Sequence, residues 1–309
     1  MILQRFRGNP QQHMRRLRLS VAVVLAIVAL TPVLRPRPAA QGLTVGLFDR
    51  YVDALRIELG IPGLSGTIIQ NGAPVWERAF GYADITGSVA TRLDTPYPIL
   101  GLTETMGAAL LLQQCVDFGS AELTDPVVRW APFPDPAVRL SQALGHATSS
   151  NVYRYDSGRF GQLDEASREC LTKDAYPHLL ATRVFDMLAM TGSVPGREVV
   201  VPGNAAQVAP SAVQTYQNTL TRLALPYRVN SNKTATRSDY TAAALSASTG
   251  VISSVLDLVK FNNGLENGNL ISPELLEASW QPAPGRPTGL GWFVQSSSSR
   301  SEEHTSELQ

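Results

Sequence analysis

The side chains that could take part in nucleophilic or acid–base chemistry lie in a few short segments of this 309-residue chain. Thr103 and Glu104 stand together in a predicted helix, where a hydroxyl could act as nucleophile and a carboxylate as its base. Adjacent residues on a helix do not face each other, so this pairing is disfavoured. His146 could also act in catalysis, although a histidine that is hydrogen-bonded within a loop is the favoured interpretation.

A serine followed three residues later by a lysine is another nucleophilic arrangement, because the two side chains then share one helix face. No serine lies three positions before any of the three lysines, which are Lys173, Lys233 and Lys260. The chain therefore has no Ser-x-x-Lys pair. No group of His, Cys or carboxylate residues has metal-site spacing either, so neither a metal nor another cofactor is predicted.

The composition is that of a globular protein, with 44% hydrophobic and 17% charged residues. The formal net charge is zero, which argues against nucleic acid as a partner. Within residues 1–40, Arg15, Arg16 and Arg18 precede an apolar run from Leu19 to Leu30, and small residues stand before Gln41, which is the pattern of a secretory signal peptide. An uncleaved membrane anchor is the alternative. The predicted location is therefore secreted or periplasmic, in a bacterial envelope.

The two cysteines, Cys115 and Cys170, both fall in predicted helices. They could pair in an exported protein, but a chain of this length does not need a disulfide to fold. Two unpaired thiols in the core are the favoured expectation, with Cys115 as a buried apolar position.

Hydrophobic periodicity predicts a helix from Thr44 that ends at Gly60 and Pro62. Two strands follow, 64–70 and 74–82, and Asn71-Gly72 between them predicts a tight hairpin turn. A strong helix is predicted over 103–118, with Gly119 as its stop.

The remainder is predicted to be mainly helical until a final strand. Helices are expected near 159–171, 175–189, 240–247, 254–262 and 272–280, a polar surface segment over 195–239, and a strand over 289–295. This order predicts an α/β (α+β) fold, with an antiparallel sheet built from both ends of the chain, helices on its faces and an inserted helical lobe.

Nine segments, in order over residues 45–295, resemble the serine β-lactamase and penicillin-binding-protein superfamily, in particular the class C β-lactamase, esterase and D-alanyl peptidase branch. They are 80–84, 94–97, 103–110, 119–127, 144–149, 155–160, 184–190, 250–261 and 289–293. The resemblance implies a β-lactamase-like fold and acyl transfer through a covalent intermediate, in which lysine and a Tyr-x-Asn tyrosine activate a serine.

Aligning the helix on Thr103, Thr105 and 108–110 places the family's serine at Gly101 and its lysine at Glu104. Glycine has no nucleophile, and glutamate reverses the charge of lysine. Removal of the serine alone from an unrelated triad protease lowers turnover by about 10⁶. The resemblance therefore implies a site without its known catalytic pair.

The family's Tyr-x-Asn motif is matched here at its tyrosine but not at its asparagine. The resemblance makes Tyr155 the relic of the base, although a pocket-lining aromatic is the favoured role, and Ser157 replaces the asparagine. The family's later Lys/His-x-Gly strand and its C-terminal helix find no match in this chain.

Residues 296–309 match no family element, and from Arg300 onward they resemble a translated sequencing adapter. The predicted organisation is a signal peptide over 1–40, an incomplete β-lactamase-related domain over 41–295 and a non-native tail over 296–309.

Three functional hypotheses follow. The first is a non-catalytic homologue in the cell envelope that binds peptidoglycan peptides or a small ester or amide. The second is an active hydrolase (β-lactamase, D-alanyl carboxypeptidase or esterase) whose catalytic codons are misread. The third is an exported partner-binding protein. A membrane is expected to be contacted only through an uncleaved signal.

An incomplete sheet would expose an unpaired edge and an uncovered apolar face. We therefore expect the chain as written to fold poorly when expressed, which solubility and thermal melting will measure. Purification as a monomer with a cooperative melt would contradict this expectation.

Overall fold

A hairpin begins the β-structure of this protein. The computed structural model describes residues 39–294 except 171, 205–206, 241–243 and 284. Strand β1 (Gly63–Gln70) pairs antiparallel with β2 (Ala73–Asp84), and β2 pairs with the short β3 (Val89–Ala90). Asn71 and Gly72 both have positive φ, 52° and 71°, so the predicted tight turn is confirmed.

The first described helix, α1 (Ala39–Glu58), ends just before Gly60, as predicted. The chain divides into two compact units, residues 1–50 and 51–309, and α1 contributes to both. Within the second unit, Arg56 donates from Nη1 to the carbonyl oxygen of Ile61 at 3.0 Å, which fixes the path from helix to strand. Tyr51, Leu55 and Leu59 of the predicted apolar stripe are exposed. The described residues therefore do not bury this stripe.

The central helix α2 (Thr103–Leu111) follows a short ladder in which β4 (Tyr97–Pro98) pairs with β7 (Ile252–Ser253). A 3-10 turn, Leu100–Leu102, leads into α2, and a π-helical turn, Leu112–Asp117, continues it. Every residue of α2 except Thr105 is buried, as expected of a helix that is apolar on nearly all sides. The predicted helix ends at Gly119. A Cβ atom at this position would lie too close to the carbonyl oxygens of Gln114 and Cys115, so a glycine fits here.

The middle of the chain is the predicted helical lobe. It contains α3 (Leu140–Leu144), α4 (Ser157–Gly161), α5 (Leu163–Glu169), α6 (Tyr176–Leu180) with a π-helical extension Ala181–Asp186, α7 (Pro210–Leu220), and 3-10 turns at Val127–Arg129 and Arg197–Val200. One apolar core joins α2, α3, α4, α5 and α6 and includes Met106, Leu110, Leu144 and Phe160.

The later part of the chain adds a hairpin and two helices. Strands β5 (Tyr227–Val229) and β6 (Ala235–Arg237) pair with each other, and α8 (Val255–Glu266) and α9 (Pro273–Ser279) follow β7. Ser254 caps α8 by accepting a hydrogen bond from the N–H of Asp257. Both helices lie where the sequence predicts them.

Several expectations about this part were wrong. Residues 195–239 are not a purely polar surface segment, because α7 forms there and Val199, Val208 and Tyr216 enter a second apolar core. No helix forms over 244–247, the described part of the predicted helix 240–247. Residues 289–294 turn at Gly291, which has φ of 97°, and form a single bridge between Thr288 and Phe293 instead of a strand.

The sheet also differs from the prediction that both ends of the chain would contribute strands to it. All the strands that pair with β1 and β2 in the described residues come from the hairpin region, so no strand from the C-terminal part joins them. The N-terminal and C-terminal parts of the chain pair instead in the separate β4–β7 ladder. The predicted tail 296–309 lies outside the described residues, as does all of the predicted signal except residues 39 and 40. Within the described part, no helix is long and apolar enough to cross a bilayer.

Cys115 and Cys170 form a disulfide, so the expectation of two unpaired thiols was wrong. Cys115 is fully buried in the π-helical turn, as expected, and Cys170 follows the last turn of α5. The packing of α5 against α2 brings the two Cα atoms to 5.1 Å, within bonding range. Chain length alone could not exclude the pairing, because it follows from how the two helices pack.

The disulfide closes a loop whose ends are 55 residues apart, so its removal should raise the entropy of the unfolded chain. We expect Cys115→Ala/Cys170→Ala to lower the free energy of unfolding by about 2–4 kcal/mol, measured by urea denaturation. Reductant should lower the midpoint of the natural chain and leave that of the double variant unchanged. An equal response of both to reductant would contradict the bond.

Candidate active site

The start of α2 is held by the two-stranded ladder. Tyr97 and Pro98 pair with Ser253 and Ile252, and the N–H of Ile99 donates to the carbonyl oxygen of Val251 at 3.0 Å. The chain then turns at Leu100, whose φ of 45° is uncommon for a residue with a side chain. This turn presents Gly101 at the exposed end of the helix while Glu104, one turn later, points into the protein.

Gly101, which the sequence resemblance aligns with the family's serine, is not forced to be glycine by its surroundings. An added Cβ atom would meet nothing within 4 Å, and the φ of Gly101 does not lie in the left-handed region. A serine would therefore fit there without displacing a neighbour. Glycine itself has no hydroxyl group, so this position offers no nucleophile.

Glu104, which the sequence resemblance aligns with the family's lysine, is buried, with only 4% of its surface exposed. The hydroxyl of Tyr155 donates to Oε1 at 3.1 Å, and Nε2 of His146 lies 3.2 Å from Oε2. Both carboxylate oxygens are thus engaged. A buried carboxylate needs such donors to offset the loss of hydration.

The hydrogen bond at Nδ1 of His146 makes its other ring nitrogen, Nε2, the donor toward Glu104. The N–H of Asp156 donates to Nδ1 at 3.3 Å, which leaves Nε2 to carry the ring proton in the neutral form. The ring is buried and lies over Phe160, with 5.0 Å between ring centroids and 23° between the planes. His146 is therefore a hydrogen-bonded histidine, as the sequence favours, and its partner is Glu104.

Tyr155 links the buried cluster to the surface, because 48% of its surface is exposed. Burial of its hydroxyl end, the negative charge of Glu104 and the hydrogen bond to Glu104 raise the pKa of Tyr155, while the Ser157 hydroxyl acts in the opposite direction. The phenol therefore keeps its proton at neutral pH. In this setting Tyr155 is a hydrogen-bond donor to Glu104 and an exposed aromatic surface.

Ser157, which the sequence resemblance aligns with the asparagine of the Tyr-x-Asn motif, begins α4. Asp156 caps this helix by accepting from the N–H of Arg159 at 2.9 Å, which sets Ser157 beside Tyr155. Ser157 also lines a shallow surface pocket of about 390 Å³ with Gly161, Ser246 and Ser248. The structure thus brings Glu104, Tyr155 and Ser157 together.

Thr103 does not form a pair with Glu104. Its side chain is completely buried, and its hydroxyl has no hydrogen-bond partner among the described residues. Both oxygens of Glu104 are occupied by other groups. The geometry therefore gives no support to a threonine nucleophile with this base.

The Glu104–His146 contact was not foreseen from the sequence. The available signal was the position itself, because a carboxylate on a helix that is apolar all round needs a buried donor. His146 was the natural candidate, since only four histidines occur in the chain.

A separate cavity of about 430 Å³ is lined by Tyr82, Tyr97, Tyr227 and Tyr240. Leu100 also lines this cavity, whereas Glu104, Tyr155 and Ser157 do not. Among the described residues, no group of His, Cys and carboxylate side chains could hold a metal.

Comparison with known proteins agrees with the geometry of the fold. PbpX of Bacillus subtilis (strain 168), which is named as a penicillin-binding protein, is 22% identical over 247 residues, covering 75% of this chain and 62% of PbpX. A solved structure of an octameric penicillin-binding protein homologue from Pyrococcus abyssi superposes with a TM-score of 0.62 at 19% identity, covering 80% of this chain and 64% of that one.

Two further solved structures share the fold. FmtA from Staphylococcus aureus has a TM-score of 0.60 at 16% identity, with 80% of this chain and 74% of FmtA covered. D-amino acid amidase from Ochrobactrum anthropi SV3 has a TM-score of 0.59 at 16% identity, with 83% and 82% covered. The chain thus spans slightly less than two thirds of the length of PbpX and of the Pyrococcus protein.

Residues 48–306 match the Beta-lactamase family. The match extends into the segment 296–309, whose interpretation as a non-native tail stays a prediction. Together with the mixed helical and antiparallel-sheet fold, the extent of this match identifies the chain as a member of the Beta-lactamase family of serine hydrolases and penicillin-binding-protein homologues.

Proposed function

We propose that this protein is a cell-envelope member of the family that does not carry out acyl transfer and acts by binding. The single observation that carries the proposal is the buried Glu104, whose two oxygens accept from Tyr155 and His146. Lysine at this position would assist a serine, whereas Glu104 is committed to a hydrogen-bonded cluster and faces no nucleophile at Gly101.

The neighbouring hydroxyls do not offer a substitute nucleophile. Thr103 is buried, so a substrate cannot reach it without opening α2. Tyr155 has a raised pKa and donates a hydrogen bond to Glu104, so its oxygen stays in the weakly nucleophilic phenol form. The cluster is better suited to holding the exposed ring of Tyr155 in one orientation than to activating a nucleophile.

The proposed ligands are peptidoglycan peptides or a small ester or amide, and the proposed location is the secreted or periplasmic space. Support comes from the export-type pattern in residues 1–40 and from the penicillin-binding name of one relative. The exposed ring of Tyr155 and the hydroxyl of Ser157 provide an aromatic surface and a polar group for such a ligand.

An active hydrolase with misread codons is the second candidate, and one observation favours it. The space around Gly101 is open, so a serine would fit there without a clash. Serine at 101 and lysine at 104 would stand one helical turn apart, with Tyr155 and His146 around the lysine. The third hypothesis, an exported partner-binding protein, is favoured by the exposed apolar side chains on α1.

Covalent labelling separates a binding protein from a hydrolase. We expect the natural chain to remain unlabelled by a fluorescent penicillin or fluorophosphonate, because no activated hydroxyl is present. Gly101→Ser/Glu104→Lys should label above background, whereas Leu102→Ser/Glu104→Lys, with the hydroxyl one position away, should not. Mass spectrometry of the modified peptide is the measurement. Stoichiometric labelling of the natural chain would contradict the proposal.

Glu104 should also be required for stability. Glu104→Ala leaves a buried imidazole N–H without an acceptor and opens a cavity, so we expect the free energy of unfolding to fall by about 2–4 kcal/mol. Glu277→Ala, a truncation at an exposed helical site, should change it by less than about 0.5 kcal/mol. Urea denaturation compares the two. Equal, small effects would show that the cluster is not a structural unit.

A further inference from the structure

A cavity of about 420 Å³ lies between the β1–β2 hairpin and α8, and none of the residues of the Glu104 cluster lines it. Its volume falls within the range of small-molecule sites, about 300–1,000 Å³. Helix α8 packs against β1, and the side-chain amide of Asn263 in this helix donates to the carbonyl oxygen of Gly72 in the hairpin turn at 2.9 Å. The two walls of the cavity are therefore held together by the fold.

Two of the three carboxylates that line the cavity have both oxygens engaged. Asp94 accepts from Nε of Arg92 at Oδ1 (2.8 Å) and from Nη1 of Arg222 at Oδ2 (2.9 Å). Asp257 accepts from Nζ of Lys260 at Oδ1 (2.8 Å), and a backbone N–H and a hydroxyl donate to its Oδ2. These ion pairs compensate both carboxylates and both cations of the lining.

Glu77 is the third carboxylate, and no hydrogen bond or ion pair from the described residues reaches its side chain. It follows the buried Trp76 in β2, and successive side chains of a strand point to opposite faces, so Glu77 faces away from Trp76 and lines the cavity. The residue is half-buried. A carboxylate that has lost part of its hydration is stabilised by a positively charged hydrogen-bond donor.

The remaining lining suits an alkyl chain that ends in such a donor. Pro74, Leu256 and Val259 contribute apolar surface to the same cavity, and the hydroxyl of Thr191 offers a further acceptor. A lysine-like chain combines an apolar stem with an ammonium group that donates up to three hydrogen bonds. A metal ion does not fit this donor set, because no group of three His, Cys or carboxylate side chains in the described part of the chain could hold one.

We propose that this cavity binds a primary alkylammonium group, with Glu77 as its counter-ion and Thr191 as a second acceptor. The lysine side chain of a peptide and a free alkylamine both carry this group. Lys260 does not oppose the ligand strongly, because its Nζ is held by Asp257 and by the carbonyl oxygen of Ala189 at 2.6 Å. The site is separate from the Glu104 cluster, so its occupation does not depend on the function proposed for that cluster.

Titration of the full chain with N-acetyl-lysine methylamide, followed by two-dimensional amide NMR, tests the proposal. We expect saturable shifts at the amides that surround the cavity, including those of Glu77, Gly192 and Leu256. Glu77→Gln keeps the size of the side chain but removes its charge, so it should raise the dissociation constant at least about tenfold. Glu277→Gln removes the same charge at an exposed site of α9 and should leave the constant within about twofold.

Two further ligands define what the site recognises. N-acetyl-norleucine methylamide has the alkyl chain without the ammonium and should bind the natural chain at least about tenfold more weakly. Tighter binding of the lysine derivative than of n-butylamine would support a peptide lysine as the source, and equal binding would support a free amine.

Circular dichroism of both variants will confirm that the fold is kept. The absence of saturable shifts around the cavity would overturn the proposal. Equal weakening by the two variants would overturn it as well, because the effect would then be one of net charge. Equal binding of the lysine and norleucine derivatives to the natural chain would contradict recognition of the ammonium group, whatever the behaviour of the variants.

Discussion

The candidate site depends on one constraint, which is that a carboxylate buried in the central helix must be given hydrogen-bond donors. Glu104 lies on a helix that is apolar on nearly all sides, so hydration cannot stabilise its charge. His146 and Tyr155 supply the donors from two different segments. The orientations of both rings, and through them the start of α4, follow from this requirement.

The rest of the protein holds those segments in place. The loop before α4 carries His146 with a positive φ of 50°, and the carbonyl oxygen of His146 accepts from the N–H of Arg154 at 2.7 Å. Asp257, buried at the start of α8, accepts from the N–H of Gly192 and from the hydroxyl of Ser193. This contact ties the start of α8 to residues 192–193, and the next residue, Val194, forms a bridge with Ile252 of β7. A carboxylate at position 104 is thus accommodated within the family fold.

Elements with strong local signals could be predicted from the sequence, whereas contacts between distant segments could not. The β1–β2 turn has two residues that tolerate positive φ, and α8 and α9 have clear start signals in Ser254 and Pro273. Residues 289–294 have the composition of a strand but no partner strand among the described residues, and a strand forms only where it can pair. At the site, the motifs placed Gly101, Glu104, Tyr155 and Ser157 near one another. The bond from Glu104 to His146 spans 42 residues and depends on packing that no local pattern records.

The disulfide between Cys115 and Cys170 encloses both His146 and Tyr155 in one covalent ring, and Glu104 lies only eleven residues before the first cysteine. In an oxidised but unfolded chain, this ring keeps the two donors near their acceptor, because closure of the loop no longer has to be achieved by chance encounter. When the bond is reduced, the unfolded chain regains its full conformational freedom, and the donors must again find Glu104 by chance encounter. Assembly of the Glu104 cluster is therefore coupled to the redox state of the compartment in which the protein folds.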